Sequence, residues 1–394
     1  MQIGVGSSEE IDEPEEAVAE ALMLARRQYG AGQPQVVIVF ASFHFDQQAL
    51  LRALHAALGD IPMLGCTTDG EITTQSAHPD SLSLMLLGGA DLEAVATLVP
   101  HVSLDDVTPR TAEASHAMFK RLEQPPRLML TFPDCSGSGR FEDHLSGIKQ
   151  SLGKDFPIFG GAPADRAMLK GVTWQYFNYT LHSDSAPMLL LGGNFHIASG
   201  LRSGVLPFGR PATCTRARGN QVYEIDNRPA IEHHRAYLGD EFTEVSTIAQ
   251  FPYLLHNQII EGHEHFVTLP IFTWDRSSGT IISVLPIDEG ATLRLGRCTR
   301  EHILEGASSA AQEIKEQLGG RAPQMLFFFG CSGRKILLGL DNDREIERVK
   351  AVLGQNVPTL GFYCYGEVGP LSSRLPELRE SIAHGYTLSL VALA

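Results

Sequence analysis

Val36-Val37-Ile38-Val39-Phe40 opens a short unit that continues through residues 46–58 and closes on Pro62-Met63-Leu64-Gly65. The β-branched run has the composition of a strand. Behind it, Leu50, Leu51, Leu54 and Leu58 recur at helical spacing, with Asp46 in place as an N-cap. Strand, helix and strand joined by short loops predict a βαβ unit, with parallel pairing and a right-handed crossover. The unit recurs. A second copy runs from Leu128-Met129-Leu130-Thr131-Phe132 to Pro157-Ile158-Phe159-Gly160, and a third from Met325-Leu326-Phe327-Phe328-Phe329 to Pro358-Thr359-Leu360-Gly361. In the third, Ile346, Val349 and Leu353 mark the helix behind Asp343.

Working outward, copies one and two share a tail. Asp80-Ser81-Leu82-Ser83-Leu84-Met85-Leu86-Leu87-Gly88-Gly89 resembles Ser185-Ala186-Pro187-Met188-Leu189-Leu190-Leu191-Gly192-Gly193. Each apolar run reaches Gly-Gly and resumes, which predicts a hairpin added to the βαβ unit. Gly385–Leu393 offers the same strand to copy three. A different region, roughly residues 224–320, separates copies two and three. It holds a helix started by Pro229, the strand Phe266-Val267-Thr268-Leu269 and the hairpin-like Gly279-Thr280-Ile281-Ile282-Ser283-Val284. The fold class expected is α/β (mixed α+β): repeated βαβ units with added β-hairpins, forming mixed sheets covered by helices. The expected divisions are an N-terminal segment 1–33, a domain 34–223 with two internal repeats, and a domain 224–394.

The chain has 394 residues, 31 Lys+Arg against 46 Asp+Glu, and a formal net charge of −15. An acidic chain has no cationic field to release counterions from a phosphate backbone, so no nucleic-acid partner is expected. No apolar run approaches the ~20 residues of a membrane helix, and no signal peptide is legible, so a cytoplasmic protein without membrane insertion is expected. Cys66, Cys135, Cys214, Cys298, Cys331 and Cys364 form no C-x-x-C pair, which argues against a zinc cage or disulfide framework. His263-Glu264-His265 and His233-His234 offer imidazoles without a third ligand, so no metal is assigned.

Ligands of βαβ proteins gather at the carboxyl ends of the strands. There the third copy places Cys331-Ser332-Gly333-Arg334, a glycine for close approach, a hydroxyl, and a guanidinium fork suited to a carboxylate. Tyr363, Tyr365 and Glu367 alternate, so one strand face would carry two phenols and a carboxylate able to hold an ammonium. Thr67, Thr68, Asp69 and Glu71 occupy the equivalent place in copy one. Copy two, Gly160-Gly161-Ala162-Pro163-Ala164-Asp165, lacks the glutamate. Its counterpart of the arginine loop, Asp134-Cys135-Ser136-Gly137-Ser138-Gly139-Arg140, matches no nucleotide-binding fingerprint, and neither does Gly4-Val5-Gly6. A zwitterion held between Arg334 and Glu367 is the specific expectation.

Three motifs in register resemble the FIST domain family. Gly65-Cys66-Thr67-Thr68-Asp69-Gly70-Glu71-Ile72 is similar to a motif of the FIST N domain. Phe329-Gly330-Cys331-Ser332-Gly333-Arg334 and Gly361-Phe362-Tyr363-Cys364-Tyr365-Gly366-Glu367-Val368-Gly369-Pro370 are similar to two of the FIST C domain. The resemblance covers residues 34–394 and implies a bacterial, non-enzymatic sensory module that binds an amino acid or similar metabolite. It would signal through a separate partner, such as a histidine kinase or a cyclic-di-GMP enzyme. Stand-alone members imply an alternative, a nitric oxide sensor with noncovalent haem b, for which His44 and His196 are the ligand candidates. A third reading is a cysteine-dependent hydrolase or transferase using Cys331 or Cys364.

Overall fold

The computed structural model describes residues 1–135, 140–165, 172–239, 250–260, 263–275 and 277–394. All three βαβ units are present. In the first, β2 (Val36–Ser42), α2 (Gln47–Leu58) and β3 (Met63–Thr68) follow β1 (Gln2–Ser8) and α1 (Pro14–Tyr29). Asp46 caps α2 by accepting from the Ala49 N–H at 3.0 Å, and Leu50, Leu51, Leu54 and Leu58 are its buried face. A hairpin, β4 (Glu71–Thr73) and β5 (Ala77–His78), precedes β6 (Leu82–Gly88). β2 and β3 pair in parallel, while β1–β6 and β6–β2 pair antiparallel.

The same series recurs as β7 (Leu92–Pro100), α3 (Val107–Arg121), β8 (Pro126–Thr131), α4 (Phe141–Leu152) and β9 (Ile158–Gly161). The hairpin β10 (Gln175–Phe177) and β11 (Thr180–His182) and the strand β12 (Ser185–Gly193) complete it. The third repeat opens with β13 (Ile197–Arg202) and is then interrupted. Among the described residues, nine strands, β14 (Leu206–Pro207) to β22 (Thr292–Arg297), form a separate antiparallel sheet that carries the helix α5 (Ala230–Leu238). The repeat resumes with α6 (Arg300–Leu318), β23 (Met325–Cys331), α7 (Ser332–Leu338), α8 (Asn342–Leu353) and β24 (Thr359–Cys364). It ends on the hairpin β25 (Glu367–Pro370) and β26 (Ser381–His384) and the strand β27 (Leu388–Leu393). Phe328 registers with Gly361 across the parallel pair β23–β24, so the third copy is one unit of one sheet.

One expectation changes. The Gly-Gly positions do not close hairpins: β6 lies in the first sheet and β7 in the second, β12 in the second and β13 in the third. Gly89 and Gly193, at φ +115° and +141°, turn the chain across to a new sheet. The true hairpins come earlier, and each joins a neighbouring sheet. β4–β5 extends the third sheet beside β24, β10–β11 the first beside β3, and β25–β26 the second beside β9. Residues 1–33 supply β1 to the first sheet, pairing Gln2 with Gly88, and position 223 falls inside the strand Gln221–Ile225.

Strand alternation then explains the core. Val36, Ile38 and Phe40 of β2 point into one shared cluster with Leu128, Leu130 and Phe132, and with Met325, Phe327 and Phe329. The alternate residues Val37 and Val39 face α1 and α2, Met129 faces the cluster behind the second sheet, and Leu326 and Phe328 face α6 and α8. Both faces of each sheet are therefore apolar, which is why these strands read as continuous hydrophobic runs. Phe40 lies 5.2 Å from Phe132 and 4.4 Å from Phe362, and Phe329 lies 5.7 Å from Phe362, ring centre to ring centre. The glycine closing each βαβ unit has one cause. A Cβ on Gly65, Gly160 or Gly361 would come within 2 Å of the Val39, Thr131 or Phe328 carbonyl oxygen on the adjacent strand.

Candidate functional site

The carboxyl ends of β3, β9 and β24 meet where the chain leaves one sheet for the next. Glu71 begins β4 and Glu367 begins β25, and both are fully buried. Their settings correspond, with a thiol in one where the other has a hydroxyl. Glu71 accepts from the Ser81 N–H at 2.9 Å and the Ser81 hydroxyl at 2.8 Å, and its other oxygen accepts from the Thr68 hydroxyl. Glu367 accepts from the Thr387 N–H at 2.9 Å and hydroxyl at 2.8 Å, and its other oxygen faces the Cys364 thiol at 3.3 Å. Each glutamate thus ties the sheet-changing loop to the start of the last strand of its repeat. Burial pushes both carboxyls up to about 7, against the hydrogen bonds that pull them down.

Around Glu71, the structure gathers several expected residues from different repeats. Lys335 of α7 donates to the Asp69 carbonyl, lies 3.1 Å from the Asp69 carboxylate and sits 5.7 Å from the Tyr363 ring centre. Thr67 is committed elsewhere: its hydroxyl accepts from the Trp174 N–H at 3.0 Å.

Around Glu367 lie Cys364, Cys331 and Cys135, with Asp165 and Tyr365 beside them, while the Asp134 carboxylate accepts from the Asp184 N–H at 3.1 Å. The Tyr365 hydroxyl donates to Asp165 at 2.7 Å, joining the loop after β9 to the loop after β24. Burial raises the Cys135, Cys331 and Cys364 thiols, and Glu367 raises all three further, so they rest protonated. Tyr365, Asp165 and Cys135 come from loops of two repeats, and their convergence was not legible in sequence.

Several expectations are corrected here. Tyr363, Tyr365 and Glu367 do not share a face, because the chain changes sheets between β24 and β25. Tyr363 packs in the cluster behind the third sheet and Tyr365 in the cluster behind the second. Arg334 is not an open fork. It is completely buried; Nε and Nη2 donate to Glu345, Nη1 to the Ser203 and Arg202 carbonyls at 2.5 and 3.3 Å, and Nη2 to the Ile303 carbonyl at 3.4 Å. These carbonyls stand where the inserted sheet leaves and rejoins the third repeat, so Arg334 fastens the base of the insertion. No donor remains for a ligand carboxylate, and the zwitterion bridge to Glu367 is not formed by this geometry. Ser332 and Gly333 open α7, where Gly333 lies against the Tyr386 ring and the buried Ser332 hydroxyl has no partner among the described residues.

His44 is exposed with Nδ1 2.8 Å from Asp80, and His196 is exposed at the amino end of β13. His234 lies between the Tyr253 hydroxyl and the Phe251 carbonyl, while the side chain of His263 and residues 136–139 fall outside the described residues. Among the described residues no group of His, Cys, Asp and Glu is placed to hold a metal ion, and no helix is long and apolar enough to cross a membrane.

A family model described as the FIST N domain matches residues 35–228, and one described as the FIST C domain matches residues 230–370. Uncharacterized proteins of Mycobacterium bovis and Mycobacterium tuberculosis are each 23% identical over 400 residues, spanning 99% of this chain and 98% of their own. A crystal structure of cyanuric acid hydrolase from A. caulinodans aligns over 100% of this chain and 99% of its own at 9% identity. Its TM-score of 0.38 is too low to carry any inference.

Proposed function

The chain belongs to the FIST family, whose domains are associated with small-ligand sensing in signal transduction, and from that membership we propose a cytoplasmic sensor of an amino acid or a similar small amine-bearing metabolite. The observation that carries the reading is the convergence of Asp165, Tyr365 and Cys135 beside Glu367 at the carboxyl ends of β8, β9 and β24. Acidic groups and a phenol at strand ends suit an ammonium. The protonated thiols favour binding over nucleophilic catalysis. Rearrangement of these loops on binding would pass to a separate signalling protein, such as a histidine kinase or a cyclic-di-GMP enzyme.

Calorimetric titration with the common amino acids tests this. At least one should bind the wild-type chain, and Asp165→Asn and Tyr365→Phe should each weaken it ~10-fold or more, since a lost charge-assisted contact is worth ~1.5–3 kcal/mol. Undiminished affinity in both variants, or binding by none of the amino acids, would remove the site.

A further inference from the structure

A cleft lies at the opposite end of the strands from the cluster around Glu367. It has a volume of about 740 Å³, within the range of small-molecule sites, and runs between the amino ends of β8 and β9, the end of α4 and the start of β13. Phe156, Pro157, Phe159 and Ile197 give it an apolar wall. Its charged lining inverts the balance of the chain: Arg127, Lys154 and Arg379 face one carboxylate, Asp155, with His196 beside them. Lys154 is paired with Glu380 at 3.2 Å. The two guanidiniums have no carboxylate partner among the described residues. Arg379 donates Nε to the Ser373 carbonyl at 3.1 Å. Arg127 donates Nη2 to the Phe195 carbonyl at 3.0 Å, while its Nε is buried and unpartnered. Each guanidinium is anchored through one backbone carbonyl, and the rest of its fork lines the cleft as a charge-assisted donor for an anion.

We infer that this cleft binds a small organic anion, a carboxylate or phosphate carried on an apolar body. The planar forks of Arg127 and Arg379 would take the anionic end, and the Phe156–Phe159 wall the body. The site is separate from the strand-end cluster around Glu367 and does not depend on it.

Phenyl phosphate, benzoate and benzyl alcohol, titrated calorimetrically into the full chain, test this. Phenyl phosphate should bind tightest and benzyl alcohol ~10-fold weaker or worse, with affinity falling as salt rises. Arg379→Ala, at an exposed position, should weaken phenyl phosphate ~10-fold without lowering the melting temperature. Arg127→Lys should weaken it too, because a point charge cannot replace the fork. Asp165→Asn should leave phenyl phosphate binding unchanged, which separates this site from the other. Equal binding of benzyl alcohol, unchanged affinity in both arginine variants, or no binding of either anion at ~10 mM would overturn the proposal.

Discussion

Glu71 and Glu367 are held alike in two different repeats, one oxygen by a backbone N–H and a hydroxyl and the other by a side chain three residues before it, and burial raises both to about 7. A carboxyl whose folded-state value is raised from 4.5 to about 7 binds its proton more tightly when folded. The stability it lends is complete below about pH 4.5 and is lost as pH rises towards about 7, by up to about 3 kcal/mol for each group. Glu367→Gln keeps the acceptor for Thr387 and removes the titration. Urea unfolding at pH 5 and pH 7.5 should therefore show a smaller difference in the variant than in the wild type; an equal difference would mean that the carboxyl does not titrate in this window. Arg334 sets a second expectation. Removing one partner of a fully buried pair leaves an uncompensated charge, so Arg334→Ala should cost ~3–5 kcal/mol, whereas Arg334→Met with Glu345→Leu should recover much of it. A near-normal melting temperature for Arg334→Ala would contradict the role given to it.

The glycine that ends each βαβ unit belongs to the pairing of two strands. Gly361→Ala should cost ~1–3 kcal/mol or prevent folding, because its methyl would meet a carbonyl of the adjacent strand with no room to give. Circular dichroism of the variant across a thermal ramp would show this, and an unchanged midpoint would refute it. These units were legible because everything that defines them is local: an apolar run, a helical stripe and a Pro-x-[Leu/Phe]-Gly close. The outer elements β1, β7 and β13 with α1, α3 and α6 were not recognised as repeats. In the third copy the inserted sheet separates β13 from α6, so spacing gave no signal. The Gly-Gly turns misled for a related reason: a glycine turn has the same local chemistry whether the chain returns to its own sheet or crosses to another. Among site residues, the Glu71–Glu367 equivalence was visible in the motifs. The burial of Arg334 was not, because it is fixed by Glu345 and by carbonyls from far along the chain.

All three sheets turn one face to a single aromatic centre made by Phe40, Phe132, Phe329 and Phe362. Truncating any of the first three to Ala should cost ~3–5 kcal/mol. The pairs should be non-additive, since they share Phe362 as a neighbour. Hydrogen exchange should report the loss in all three sheets together; loss confined to the mutated repeat would show that the repeats unfold independently. The exchange of hairpins has a further consequence. Each repeat gives its hairpin to one neighbour and receives one from the other, a head-to-tail relation that closes after three steps. That is the bonding pattern of a cyclic trimer. A chain carrying one repeat would have a donated hairpin without a recipient and a strand edge without a cover, and three such chains would satisfy each other. The molecule is built as though three identical subunits had been joined end to end, and a synthetic single-repeat chain, freed of the insertion, should assemble as a ring of three.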